Sequence, residues 1–369
     1  MEIAITAIGT ANPGYKSHQS ATVDLIIAAL NLKPAEKRLL RSVYKATGID
    51  YRYSVLSDFD STPGPFTFLP NDANALLPTT AERMKIYKKH ALNLALAAIQ
   101  NCLLGLRHFS VQDITHLITV SCTGMYAPGI DIEIVQKLNL NSSTKRTAIN
   151  FMGCYGAFNG MKVADAICRA HPLAKVLVVC VELCSIHFQS KMTLDNIISN
   201  AIFADGAAAV LIQAQPQYKK YFKIENFHCD LLPQTSQEMA WHIGDDGFDI
   251  VLSSYVPEVI QSGIADFMQS AIKQNQFKLS DIDLFAIHPG GLKILKACEK
   301  SLTITKEQNK YAYQILKNYG NMSSATVLFV LRAIWDDLTQ KDHAKNIFSC
   351  AFGPGLTLES MLFKTHYDY

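Results

Sequence analysis

Residues 154–183 read CYGAFNGMKVADAICRAHPLAKVLVVCVEL, and the fold turns on how this stretch is read. Its second part, KVLVVCVEL (175–183), is a continuous apolar run without the period-two alternation of a half-buried strand. It therefore reads as a strand covered on both faces. Its first part, CYGAFNGMKVADAICRA (154–170), reads as a helix opened by small residues. Upstream, ITHLITVSCTG (114–124) reads as another buried strand ending in a small-residue loop, and downstream GAAAVLIQA (206–214) is rich in strand formers. The same order returns as IDLFAIHPGG (282–291), NMSSATVLFVLRAI (321–334), NIFSCAF (346–352) and GLTLESMLF (355–363). An α/β unit written twice predicts a layered α/β architecture. The two halves, 1–215 and 216–369, are expected to meet where QAQPQYKK (213–220) turns polar.

The 369 residues, 49% of them hydrophobic, are enough for a sizeable core. A formal charge of +2 with 18% charged residues gives no broad field for nucleic acid or a membrane surface, so any anion site is local. Nine cysteines without a CxxC pair fit a reducing cytoplasm. The start, MEIAITAIGT, lacks the pattern of a leader, and no apolar run approaches the roughly 20 residues of a membrane-spanning helix. The stretch 79–106 is the clearest helix, with Thr80 as its expected N-cap and apolar side chains at three- and four-residue spacing from Met84 to Leu104. The Pro-, Asp- and Asn-rich stretch 57–80 reads as an inserted surface loop.

In a repeated α/β unit, ligand sites collect where strand ends and helix starts converge. Cys154 opens a helix, His288 closes a strand in AIHPGG, and Asn321 opens another helix in YGNMSS. Each alone has a structural reading: a small core residue, a strand-end histidine, a helix cap. Their placement at equivalent points of the two halves favours chemistry. A free thiol has a pKa of about 8.5, so a nucleophilic cysteine draws on a helix N-terminus or a nearby imidazole. His and Asn beside it would donate to an oxyanion without adding negative charge.

Six stretches in register carry a family likeness: AIGTANP (7–13), GCY (153–155), FADGAAAV (203–210), HPGG (288–291), YGNMSSATVLF (319–329) and FGPGLTLE (352–359). With them the chain resembles the chalcone-synthase-like, or type III, polyketide synthases of the thiolase superfamily, over essentially its whole length. The resemblance implies a five-layered αβαβα fold, a homodimer, and a tunnel that admits the pantetheine arm of coenzyme A. It also implies that Cys154 takes an acyl starter as a thioester. His288 and Asn321 would bind a malonyl thioester carbonyl and stabilise the enolate left by decarboxylation. No metal or redox cofactor is implied; coenzyme A thioesters, an acyl-CoA starter and malonyl-CoA, are substrates.

The likeness further maps Phe203 onto an aromatic gatekeeper, and Cys122, Thr123, Cys184, His187 and Ser323 onto the pocket wall. Trp241 falls near a position that is often glycine and sets cavity volume, and Ile250 replaces a second gatekeeper aromatic. Ala127 stands where plant relatives present a methionine to the partner subunit, and Ala351 replaces the first glycine of the usual GFGPG. In KPAEKRLLRSVYKATG (33–48), Arg38, Arg41 and Lys45 recur at helical spacing, either as a clamp for the coenzyme A phosphates or as a solvated face. The alternative left open by the Cys, His, Asn set is a ketoacyl-synthase-III-like enzyme that condenses once with an acyl-carrier protein; GCY and FGPGLTLE favour the polyketide synthase. A cysteine hydrolase lacks its acidic or amide orienter, and a pseudo-enzyme would have lost the cysteine or histidine.

Overall fold

The computed structural model describes residues 1–60, 65–71, 76–235, 237–253 and 255–368. Among these, the strands are β1 (Ile3–Ala11), β2 (Tyr15–His18), β3 (Tyr51–Ser54), β4 (His116–Ser121), β5 (Lys145–Asn150), β6 (Lys175–Leu183), β7 (Asp205–Ala214), β8 (Lys220–Leu231), β9 (Met239–Gly244), β10 (Gly247–Leu252), β11 (Leu284–Ile287), β12 (Asn346–Gly353) and β13 (Thr357–Tyr367). The helices are α1 (Gln19–Ala29), α2 (Pro34–Ala46), α3 (Thr80–Leu103), α4 (Ile130–Lys137), α5 (Gly156–Ala170), α6 (Leu194–Ile202), α7 (Val256–Lys273), α8 (Leu292–Leu302), α9 (Lys310–Tyr319) and α10 (Thr326–Asp337).

The apolar run 175–183 becomes β6, and its side chains feed two different cores by turns. Val176, Val178 and Cys180 face one, while Leu177, Val179, Val181 and Leu183 face the other. That is the physical reason the run shows no alternation. β12 does the same in the second half, with Ile347 and Ala351 in the first core and Phe348, Cys350 and Phe352 in a third.

The pairing repeats as the sequence does. β4 runs parallel to β6, which is antiparallel to β7; β11 runs parallel to β12, which is antiparallel to β13. A short β1–β8 contact joins the two sets into one sheet ordered β11-β12-β13-β8-β1-β7-β6-β4-β5. The core shared by both sheet halves is filled by α5, through Phe158, Met161 and Ala164, and by α10, through Val327, Leu328 and Leu331. α3 covers the outer face of the first half with Ala91, Ala95, Ala98 and Ile99, and α7 and α8 cover that of the second with Ile260, Ile264, Leu295 and Cys298. Helix, sheet, helix, sheet, helix: five layers follow from these three cores.

Two local expectations are corrected. Thr79, one residue before Thr80, caps α3, because its hydroxyl accepts from the Glu82 N–H (3.4 Å) and its own N–H donates to the Glu82 carboxylate (2.8 Å). The stretch 57–80 is only partly a surface loop. Asp58 accepts from the backbone N–H groups of Thr67, Phe68 and Leu69, and this draws Phe59, Phe68 and Leu69 into the core. Residues 61–64 and 72–75 of that stretch lie outside the described residues.

Candidate active site

Cys154 sits in a single 3-10 turn, Gly153–Tyr155, that leads directly into α5. The turn depends on Gly153, whose φ is +76° and where a Cβ would lie 2.4 Å from the Pro354 ring. No side chain fits, so GCY and FGPG are two parts of one contact. The thiol faces Asn321, with the Asn321 Nδ2 3.8 Å from Sγ.

Asn321 opens the equivalent approach to α10. Its Oδ1 accepts from the Ser323 N–H (2.9 Å) and the Thr326 hydroxyl (3.3 Å), and Nδ2 donates to the Gly290 carbonyl (3.4 Å), with the Cys154 sulfur 3.8 Å from Nδ2 and 3.9 Å from Oδ1. Ser323 is held at φ +46°, an uncommon conformation for a residue with a side chain. The backbone of Asn321 also forms an isolated parallel bridge to Phe203: Asn321 N–H donates to Ile202 O (2.8 Å), and Ala204 N–H donates to Asn321 O (2.9 Å).

His288 follows β11, and its N–H donates to Cys350 O (2.8 Å) before the chain turns at Pro289. The ring is buried, and neither nitrogen has a hydrogen-bond partner. A buried imidazole with two unpaired nitrogens is costly in a packed interior. Here it faces a cavity, which marks it for a ligand.

Burial sets the protonation states. It pushes the Cys154 thiol up to about 11, against the smaller opposite pull of hydrogen bonds from Asn321 and Ser323. It pushes His288 down to about 3. Burial thus favours the neutral form of each group. The imidazole is thus in the form that accepts a proton.

Cys154, His288 and Asn321 line one central cavity together with Cys122, Thr123, Cys184, Phe203, Trp241, Ile250 and Ser323. Trp241 and Ile250 are directly paired across the β9–β10 hairpin, and Met239 and Leu252, also paired, line the same cavity two residues along. The Trp241 indole donates to Cys122 O (2.9 Å) and lies against Phe203 and Phe248.

His187 is not in the lining of the central cavity. It lines a second, rear cavity that shares Cys184, Phe203, Trp241 and Ile250 with the central one. Its Nε2–H donates to Thr123 O (2.7 Å), its Nδ1 accepts from Phe248 N–H (3.0 Å), and its ring stacks on Phe248 at 4.1 Å. Both nitrogens are occupied and burial holds the ring neutral, so it is a wall support.

A third cavity, the mouth, shares Ile202, Leu252, Gly290 and Ile294 with the central one. Val43, Ala46 and Thr47, in and just beyond α2, line it. At 100° per residue, Arg38, Arg41 and Lys45 do share one stripe, but on the side of α2 turned away from those three residues. Arg41 pairs with Asp24 at 2.6 Å. Among the described residues, Lys293 lines the mouth and Arg38, Arg41 and Lys45 do not.

Met239, Leu252, Gly290, Ile294, Phe352 and Pro354 line the cavity as well, and Glu182 lies behind Cys122 and Thr123; none of these stands among the residues expected at the site. Phe352 and Pro354 lie in a quoted motif, so that signal was present. Glu182 sits inside VVCVEL, where nothing local separates it from a strand end.

Comparisons with known proteins agree along the whole chain. Residues 2–216 match the family described as chalcone and stilbene synthases, N-terminal domain, and residues 223–366 match its C-terminal domain. "Alpha-pyrone synthesis polyketide synthase-like Pks18" of Mycobacterium tuberculosis is 33% identical over 97% of this chain and 90% of its own. Among solved structures, PKS-I of the brown alga Ectocarpus siliculosus superposes with a TM-score of 0.90 at 28% identity, over 98% of each chain. The C-terminal type III polyketide synthase domain of Steely1, a type I/III hybrid from Dictyostelium, gives 0.89 at 28% identity, over 99% of this chain and 100% of that one.

Proposed function

The chain belongs to the chalcone and stilbene synthase family, the type III polyketide synthases, and from that premise we propose how its own residues divide the work. The enzyme is an acyltransferase that carries out decarboxylative condensation. Cys154 is the acyl carrier. Neutral His288 takes the thiol proton as sulfur attacks the starter thioester, and coenzyme A leaves with a proton returned to its sulfur. Malonyl-CoA then binds with its thioester carbonyl oxygen toward His288 and Asn321 Nδ2. The bond to the malonyl carboxylate breaks, carbon dioxide leaves, and the electron pair becomes an enolate whose oxygen those two groups stabilise. The enolate carbon attacks the Cys154 thioester, forming the carbon–carbon bond and expelling the cysteine sulfur. Return of the lengthened chain to Cys154 begins the next cycle.

One observation carries this reading: a thiol, a histidine with both nitrogens unpartnered and an amide donor face one apolar cavity. The mouth suits a pantetheine arm, and carbon dioxide loss supplies the driving force without a resident metal or redox cofactor. The two halves, 1–215 and 216–369, each supply part of the set, Cys154 from the first and His288 and Asn321 from the second. A single condensation fed by an acyl-carrier protein is not favoured, since both halves match chalcone and stilbene synthases. A homodimer is supported by the edge strand β5, exposed along most of its length, with exposed Met152 just beyond it. Among the described residues no helix is long and apolar enough to cross a membrane, in keeping with a cytoplasmic enzyme.

The test is mass spectrometry of the purified protein with malonyl-CoA and a panel of starters, offered as coenzyme A or as carrier-protein thioesters. The expected result is starter mass on the Cys154 peptide and polyketide products. Starter mass on another residue, or on none, refutes the assignment. Light scattering gives the oligomeric state.

A further inference from the structure

Beneath the wall of the central cavity lies a carboxylate whose hydrogen-bonding partners are neutral donors. Glu182, at the end of β6, is fully buried. Its two oxygens accept from the Cys122 N–H (3.2 and 3.0 Å), from the Thr123 hydroxyl (2.8 Å) and from the Ser324 hydroxyl. The Thr123 hydroxyl in turn accepts from the Leu183 N–H (2.9 Å). Thus the N–H of one residue and the hydroxyl of the next fix the Cys122–Thr123 dipeptide from behind.

The front of the same dipeptide holds the wall. Cys122 O accepts from the Trp241 indole, and Thr123 O accepts from His187, whose other nitrogen accepts from Phe248 N–H. Trp241 is one of the four residues, with Cys184, Phe203 and Ile250, that line both the central cavity and the rear one, and His187 and Phe248 line the rear cavity against it.

We propose that Glu182 is a positioning residue for this wall: by holding Cys122 and Thr123 it aims the two carbonyls that orient Trp241 and His187, and so sets the length to which a chain on Cys154 grows. The inference rests on reading the central cavity as the elongation site. A carboxylate suits the task because it offers acceptors on both oxygens to converging donors, whereas a glutamine would turn its own NH2 toward some of them. Burial pushes Glu182 up to about 7, and the hydrogen bonds from Ser324, Cys122 and Thr123 pull the other way, toward the ionised form that accepts from all of them. Glu182 does not act on substrate; it acts through the wall.

The chain has two tryptophans, so a Trp335→Phe background isolates Trp241 emission. In that background Glu182→Gln is expected to shift the Trp241 emission. It should also change the ratio of longer to shorter products by about fivefold, the value of one net hydrogen bond. Acylation of Cys154 by starter should stay within about threefold of the parent. An unmoved emission and product ratio in the folded variant overturns the proposal, as does equal loss of loading and elongation with emission unmoved, the outcome of a merely structural role. If Glu182→Gln does not fold, Thr123→Val cuts one link to Glu182 and keeps the Cys122 N–H bond; it should move the same two readouts, and if it moves neither the proposal fails. Failure of the parent protein to load Cys154 would refute the site assignment, while the emission shift still reports on the relay.

Discussion

Replacing Asn321 by alanine separates two roles that the structure gives one side chain. Nδ2 is the donor aimed at the cavity, 3.8 Å from the Cys154 sulfur, while Oδ1 caps the Ser323 N–H at 2.9 Å. Loss of one oxyanion donor lowers a rate by about 10²–10³-fold, or about 2.7–4 kcal/mol of transition-state stabilisation. Loss of the cap leaves a buried N–H unsatisfied at a cost of about 1–3 kcal/mol in stability, since Ser323 is buried. The assay is malonyl-CoA decarboxylation, followed as carbon dioxide release, beside starter acylation of Cys154, followed by intact mass. Decarboxylation should fall by the donor's full factor, loading should survive, and the denaturation midpoint should drop. Asn321→Asp at pH 8 keeps the acceptor for Ser323 and replaces the donor by a negative charge. It should recover stability and not decarboxylation. An alanine variant whose loading and decarboxylation fall together, or an aspartate variant that decarboxylates normally, refutes the donor assignment.

Three further expectations follow from the geometry. Cys154→Ala should abolish condensation while malonyl decarboxylation persists on His288 and Asn321; undiminished product formation, read by mass spectrometry, would remove Cys154 from the mechanism. Trp241→Gly should join the central and rear cavities and shift products toward additional malonyl units. Because the indole is only partly buried, its stability cost should fall below the roughly 3–5 kcal/mol of a fully buried ring, and unchanged products in a folded variant would refute the partition. Glu182 is raised from 4.5 to about 7, so its favourable contribution is complete below pH 4.5 and is lost as pH rises through 7. That rise corresponds to roughly 3 kcal/mol. Urea denaturation from pH 5 to 8 should therefore show the parent losing stability relative to Glu182→Gln, and parallel profiles would contradict a buried, proton-favouring carboxyl.

The doubled α/β plan was legible because both signals are local: apolar runs covered on two faces, and glycine-bounded strand ends repeated in one order. Cys154, His288 and Asn321 were legible for the same reason, since each sits at such a boundary. What escaped depends on distance along the chain or on the side of an element. Glu182 meets Thr123 59 residues away and Ser324 142 residues away, and a strand-end glutamate carries no mark of either. The stripe of Arg38, Arg41 and Lys45 was readable as a stripe, but a helical wheel has no outside until its neighbours are placed. His187 lines the rear cavity and braces it through the hairpin β9–β10, a contact with residues more than 50 positions later that no local pattern marks. Thr79 was displaced by one because two threonines adjoin, and only Glu82 three residues on distinguishes them.

The bridge between Phe203 and Asn321 has a consequence for how such an enzyme changes over generations. Two backbone hydrogen bonds make the aromatic at the cavity wall and the amide at the reacting centre neighbours on one rigid joint. A mutation that widens the cavity by trimming the Phe203 ring leaves the joint alone, so new acyl chains can be accepted at unchanged turnover. One that widens it by moving the end of α6 drags Asn321 along, and a shift of a few tenths of an ångström there is felt by the donor. Variants selected for broader substrate range should accordingly accumulate substitutions in side chains around residues 202–204 and spare the backbone geometry there.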